Sequence, residues 1–322
     1  MSGPRPRALF FGTPEFAVPG LRALAEIADV TLVVTQPDRP KGRGMKLAPP
    51  PVKVLAEQLG IPVVQPTKIR PPEFAASLRE QQADVALVIA YGRILPNAVL
   101  AAPRLGCLNV HASLLPKLRG AAPIQWSIVR GDRETGVCLM GVEEGLDTGP
   151  VYARESLVIG RDETSAELSL RLSELGANIV RTELPRVVAG ELSAVPQDHA
   201  SATLAPILSK QDGEVAWARP ARALHDLARG FSPWPSAFTW VEGTDARLKL
   251  HRTIVLEEQG SHGDPGAIIA ATRDGIDVAC GAGVLRILEL QAEGARRLPA
   301  AEFLVGQRLA KGTRFVRKPE AG

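Results

Sequence analysis

Residues 84–90, DVALVIA, are apolar without a break after Asp84, through Val85, Leu87, Val88 and Ile89. A strand with one face in water alternates apolar and polar side chains. An unbroken apolar run belongs to a strand covered on both faces, as in the middle of a mainly parallel sheet. The sequence around it repeats strand and helix signals in turn. ALFFG at 8–12 reads as a buried strand ending at Gly12, with Thr13 as helix cap and Pro14 at the first helical position. Ala17, Leu21, Leu24 and Ala28 form a helical stripe, and residues 30–35 form the next strand. Helices around Val52, Leu55 and Leu59 and around Phe74 and Leu78 flank a strand at 61–65. Such alternation predicts an α/β fold with an open, Rossmann-like, mainly parallel sheet. Gly12 is the only glycine in the first turn, so the G-x-G-x-x-G fingerprint of a dinucleotide site is missing.

Ligands of such sheets bind outside the carboxyl ends of the strands. Three segments can gather there: residues 92–95, the turn 113–116 (SLLP) and the loop 145–150 (GLDTGP). The apolar run GCLNVHA at 106–112 reads as a strand leading into that turn. Side chains two apart on a strand share a face, which sets the amide of Asn109 beside the imidazole of His111. The loop presents one carboxylate, Asp147. A neutral donor, a group titrating near neutrality and a carboxylate are the parts needed for acyl transfer. Each also has an ordinary role. A histidine ending a strand is commonly structural, Asn109 can cap a turn, and Asp is frequent in Gly-flanked turns.

The segment as a whole decides between these roles. NVH at 109–111, SLLP at 113–116, RGAAPIQW at 119–126 and LDTG at 146–149 together resemble the folate-dependent formyltransferases. The resemblance implies that Asn109, His111 and Asp147 carry formyl transfer from 10-formyltetrahydrofolate, the co-substrate, to an amine. It also implies that the folate lies against Ser113, Leu114, Leu115 and Pro116, with Gly92 and Leu95 nearby. Neither a metal nor a nicotinamide is implied.

The loop at 36–47, QPDRPKGRGMKL, is basic, rich in Gly and Pro and long for an α/β connection. The branch of the family that formylates methionyl-initiator-tRNA carries an insertion here and uses it to hold the tRNA. By that resemblance Arg39, Lys41, Arg43 and Lys46 bind tRNA, with Arg43 facing the acceptor end. The alternative is a formyltransferase for a small amine, such as glycinamide ribonucleotide or an amino sugar nucleotide, which needs no such loop. A non-catalytic RNA-binding protein would leave Asn109, His111 and Asp147 unexplained.

Residues from Thr164 to about Leu184 read as one helix ended by Pro185. The stretch 190–205 is polar, rich in small residues and broken by Pro196, and reads as a linker. Short β-like runs at 237–241, 248–250, 253–256, 266–270, 276–280 and 284–290 predict a small OB-like barrel. The expected organisation is a formyltransferase domain at 1–189, a linker at 190–205 and a tRNA-binding barrel at 206–322. Residues 207–210 and 231–235 resemble the C-terminal module of the tRNA-formylating branch. The basic tail, including Arg314 and Arg317, is the expected phosphate-contacting surface.

A net charge of +3 identifies no nucleic-acid binder by itself, so local clusters must carry that reading. Cys107, Cys138 and Cys280 are far apart and odd in number, which suggests neither a disulfide framework nor a zinc site. The first residues lack the apolar core of a signal peptide, and no apolar run reaches membrane-spanning length. The expectation is a cytoplasmic, monomeric enzyme.

Overall fold

A computed structural model of the chain describes residues 5–41, 46–306 and 309–318. Two compact units are present. One comprises Met1–Gly120, Glu134–Leu157 and Ser169–Ala205; the other comprises Ala121–Arg133, Val158–Leu168 and Pro206–Gly322.

The first unit is built on a seven-stranded sheet. Its spatial order is Val151–Val158, Glu134–Gly141, Cys107–His111, Val85–Ile89, Arg7–Gly12, Asp29–Val34 and Val63–Val64. From Cys107–His111 to Val63–Val64 every neighbouring pair is parallel, whereas Glu134–Gly141 runs antiparallel to Cys107–His111. Arg7–Gly12 and Val85–Ile89 are central, and Ala8, Leu9, Phe10 and Phe11 are all fully buried. That matches the unbroken apolar runs. On one face Leu9, Phe11, Ala86 and Cys107 pack with Ala75, Leu78, Tyr91, Leu95 and Val99. On the other face Gly20, in the helix Val18–Ile27, lies so close to Ile89 that a β-carbon would overlap its Cδ1. The helix Ser165–Val188 passes Val110 at Gly176, on the face opposite Asn109 and His111.

Several local expectations are corrected. Thr13 caps no helix: its hydroxyl donates to the Tyr91 carbonyl and accepts from the Gln36 amide, tying three strand ends together. Pro14 instead precedes a 3-10 turn, Glu15–Ala17. Pro185 does not end its helix, which continues to Val188 because Leu184 and Val187 are both buried on its apolar stripe. The strand read at 61–65 is only Val63–Val64. The long loop after the second strand contains an antiparallel hairpin, Arg39–Lys41 against Lys46–Ala48. Residues 190–205, read as a linker, hydrogen-bond into the first unit: Val195 bridges Val151, and Leu204–Ala205 pairs with Arg119–Gly120.

The second unit holds an antiparallel sheet. Its order is Ile268–Thr272, Gly275–Ala279, Val284–Ala292, Arg247–Glu257, Ala237–Val241 and Phe315–Val316, with Leu298–Pro299 added against Val284–Ala292. The runs read as two strands at 248–250 and 253–256 are one, Arg247–Glu257, with three register shifts against its partner. Such bulges bend a strand and curl the sheet. The helix Ala221–Gly230 fills the concave side through Leu224, Leu227 and Ala228. Phe231 stacks edge-on against Trp126 at 5.6 Å between centroids, so the aromatic corner at 231–235 is packing at Phe231. Trp234 is half-exposed.

Candidate active site

Strand pairing positions the first two candidate residues. Asn109 sits opposite Met140 and beside Val88, and His111 opposite Cys138, at the carboxyl end of a near-central strand. Asn109 is half-buried, and among the described residues its side chain makes no hydrogen bond within the protein. The amide is therefore available to a ligand. His111 is buried, and Nε2 lies 3.0 Å from the Leu118 carbonyl oxygen. A carbonyl only accepts, so Nε2 carries the hydrogen. Leu118 reaches this position with φ at +60°, in the left-handed region.

Asp147 also has left-handed backbone, with φ at +51°. Its Oδ2 accepts a hydrogen bond from the Gly120 amide at 2.8 Å and lies 3.6 Å from His111 Nδ1. The latter distance is too long for a hydrogen bond but short for a charge contact. The structure thus brings His111 and Asp147 together and divides the orienting work. Leu118 fixes the tautomer with its hydrogen on Nε2, and Asp147 faces Nδ1. Asp147 Oδ2 is held by the Gly120 N–H and makes no hydrogen bond to the ring. Gly120 must be glycine: φ is +124°, and a β-carbon would overlap the Ala205 carbonyl.

In the turn 113–116 the side chains divide between core and surface. Ser113 donates to the Lys117 carbonyl at 2.6 Å, and Leu115 is buried with Cys138, Met140 and Val151. Leu114 and Pro116 are half-buried. Leu95 is core, whereas Gly92 is exposed, with φ at +83°. Gly92 and Arg39 help to line a cavity of about 410 Å³ at the ends of three strands, together with Thr13, Gln36, Tyr91 and Pro50. Between Pro37 and Arg39 in the chain, Asp38 accepts through both oxygens from Lys53 at 3.0 Å, and Lys53 also donates to Gln65 Oε1 at 2.9 Å. Gln65 and Lys53 together hold the Asp38 carboxyl below its ordinary range, chiefly through the Gln65 amide.

Lys41 and Lys46 pair through their backbones in the hairpin. Arg43 lies outside the described residues. In the second unit Arg317 bonds Glu214 Oε2 at 3.0 and 3.2 Å, and Arg314 donates to the Pro265 carbonyl.

Sequence reasoning missed Gln197, Arg119 and Thr203. Gln197 and Arg119 are buried, and they form a hydrogen-bonded group with the Asp147 loop. Arg119 stood within the recognised motif without a role. Gln197 and Thr203 stood in a polar stretch with no periodicity, where only the fold reveals a partner.

Among the described residues no group of three His, Cys, Asp or Glu side chains is placed to hold a metal ion. No helix among them is long and apolar enough to cross a membrane.

Residues 8–184 match the family model described as Formyl transferase, and residues 207–308 match Formyl transferase, C-terminal domain. The chain is 54% identical to a Methionyl-tRNA formyltransferase of Sorangium cellulosum over 95% of its length and 98% of the relative's. It is 52% identical to that of Myxococcus xanthus over 96% and 97%. The chain belongs to the methionyl-tRNA formyltransferase family. Among solved structures, the sugar 3N-formyl transferase WlaRD superposes with a TM-score of 0.66 at 14% identity, covering 91% of this chain and all of that one. HypX from Aquifex aeolicus, crystallised with tetrahydrofolic acid, gives 0.61 at 19% identity over 93% of this chain and 47% of that one. Those two likenesses concern the fold. The matches to relatives in the methionyl-tRNA formyltransferase family run through both units and across residues 190–205.

Proposed function

We propose that the chain transfers the formyl group of 10-formyltetrahydrofolate to the α-amino group of methionyl-initiator-tRNA, giving N-formylmethionyl-tRNA for the start of translation. One observation carries the chemistry: Asn109 and His111 share a strand face, with the Asp147 carboxylate 3.6 Å from the ring. The folate supplies the formyl group. Asn109 donates its free amide hydrogen to the formyl oxygen, which becomes an oxyanion as the amine attacks. Such a donor is worth roughly 10²–10³ in rate. His111 takes the attacking amine's proton at Nδ1 and passes it to the departing folate nitrogen as the formyl–folate C–N bond breaks, because Nε2 stays committed to Leu118. Asp147 stabilises the ring while it is charged. Transfer is direct, so no covalent enzyme intermediate is needed.

The reading extends to the substrates. The folate would lie along Ser113, Leu114, Leu115 and Pro116, meeting Leu114 as apolar surface and the turn's backbone as polar partners. Gly92 and Leu95 bound it on the neighbouring strand end. Arg39, Lys41, Arg43 and Lys46 hold the acceptor end of the tRNA, and Arg314 and Arg317 meet its phosphates. Residues 1–189 act as the catalytic domain and 206–322 as an OB-like, tRNA-binding domain, in a cytoplasmic monomer. A small amine as the true acceptor is the poorer reading, since the relatives at about 50% identity are all named for methionyl-tRNA. Formylation of charged initiator tRNA, measured beside glycinamide ribonucleotide and free methionine, tests the choice.

A further inference from the structure

Gln197 is buried, and every hydrogen-bonding position on its amide is used. Nε2 donates to the carbonyl of Asp147 at 2.9 Å and to that of Gly149 at 2.7 Å. Oε1 accepts from Arg119 Nε at 3.1 Å and from Arg119 Nη2 at 2.8 Å. Arg119 is buried too, and its Nη2 also lies 3.2 Å from His199 Nδ1. A guanidinium only donates and a carbonyl only accepts, so the amide can face one way alone. Arg119 thereby fixes Gln197, and Gln197 fixes the backbone on both sides of Thr148.

That backbone carries the Asp147 side chain, whose φ of +51° is an uncommon conformation for a residue other than glycine. Gly149, at the second anchored carbonyl, lies so close to Gly141 that a β-carbon would overlap its carbonyl oxygen. The same stretch of chain supports the opposite side of the site. Thr203 Oγ1 accepts from the Leu118 amide at 2.9 Å, and the Thr203 carbonyl accepts from the Arg119 amide at 2.8 Å. Leu118 is the residue whose carbonyl holds His111 Nε2.

We propose that residues 195–205 form a strap that positions the reacting groups, with Gln197 as the positioning residue for the Asp147 carboxylate. The proposal rests on the catalytic reading of Asp147 given above and deepens it. Gln197 is buried, with its amide fully hydrogen-bonded within the protein. It acts by keeping Asp147 Oδ2 within charge-contact distance of His111 Nδ1, and displacement of such a group by about 1 Å can cost on the order of 10²-fold in rate.

Two near-isosteric variants of the full-length enzyme test it. Gln197→Glu keeps acceptors for Arg119 but turns a carboxylate toward two carbonyls. Gln197→Met keeps the length of the side chain and removes all four hydrogen bonds. Each is compared with wild type for kcat, for KM toward both substrates, and for the thermal unfolding midpoint, and each is repeated in an Asp147→Ala background. The expected result is a fall in kcat of about 10- to 10²-fold. Both KM values should stay within about twofold, and the Asp147→Ala background should show little further loss, because residues acting as a unit are not additive. Wild-type kcat in either variant, with Asp147→Ala strongly impaired, overturns the proposal and leaves the catalytic reading standing. An equal fall in both backgrounds also overturns it, since Gln197 would then act independently of Asp147. Near-normal turnover in Asp147→Ala alone would instead remove the catalytic reading, and the proposal with it. Loss of folding in both variants would assign Gln197 to stability and contradict the positioning role.

Discussion

The proposed chemistry rests on small differences among three side chains. Asn109 is half-buried and uncommitted, His111 is buried and held at Nε2, and Asp147 is held by a backbone amide. Asn109→Ala should therefore lower kcat by about 10²–10³, with the folate analogue affinity little changed. Steady-state kinetics beside a binding titration would check it. His111→Ala should cost at least as much, and adding Asp147→Ala to it should cost little more. Near-multiplicative losses would mean that the two do not form a unit. Asn109, His111 and Asp147 were legible because strand periodicity and a long ordered motif placed them. The Leu118 carbonyl and the Gly120 amide were not, since backbone groups leave no mark in a sequence until the turn is known. Gly120→Ala should be damaging despite its small size, because it forces apart the pairing with Leu204–Ala205 that supports this turn. The account expects a lower unfolding midpoint together with a loss of kcat.

Among the elements, the central strands were the most legible, because a strand covered on both faces has no polar positions to confuse the pattern. Element ends were less so. Pro185 is a breaker by local rules, yet burial of Leu184 and Val187 carries the helix past it. Residues 190–205 carry no periodicity, and their partners are distant in sequence. The helix Ala221–Gly230 buries polar groups as well as apolar ones, His225 among them. His225 Nδ1 is 2.9 Å from Thr253 Oγ1, and Nε2 is 3.1 Å from Asp162 Oδ1 without aligning as a hydrogen bond. Burial, then the charges of Arg229 and Arg222, push the His225 pKa down, against smaller opposing effects of Asp162 and Asp226. The unfolded histidine takes up its proton near pH 6.5, and the folded one only at lower pH. Stability from this site is therefore complete above about pH 6.5 and declines as the pH falls toward the folded value. Unfolding midpoints from pH 7.5 to 5.5 should fall more steeply for wild type than for His225→Gln. Parallel curves would show that His225 does not contribute.

On the scale of the whole molecule, the sequence foretold a mainly parallel sheet followed by a small barrel of short strands, and the structure has a mainly parallel sheet and a curled antiparallel one. It could not foretell that segments 121–133 and 158–168 belong with the C-terminal residues, because that membership depends on contacts distant in sequence. The cations were legible as residues and not as free charges: Arg317 pairs with Glu214, and Lys318 sits over Trp240, 4.3 Å from the ring centroid. If Arg314 and Arg317 meet phosphates, replacing both with Ala should weaken tRNA binding at low salt and flatten the dependence of log affinity on log salt by about two units. Replacing Arg39 should lower single-turnover formylation more than tRNA affinity. The central claim is that this site serves an amine delivered on tRNA. Its most direct test is formyl transfer from 10-formyltetrahydrofolate to methionyl-initiator-tRNA, free methionine and glycinamide ribonucleotide at equal concentrations. The account predicts rapid formylation of the charged tRNA, its loss in His111→Ala, and negligible transfer to the two small amines. Efficient formylation of glycinamide ribonucleotide with charged tRNA left unmodified would contradict it.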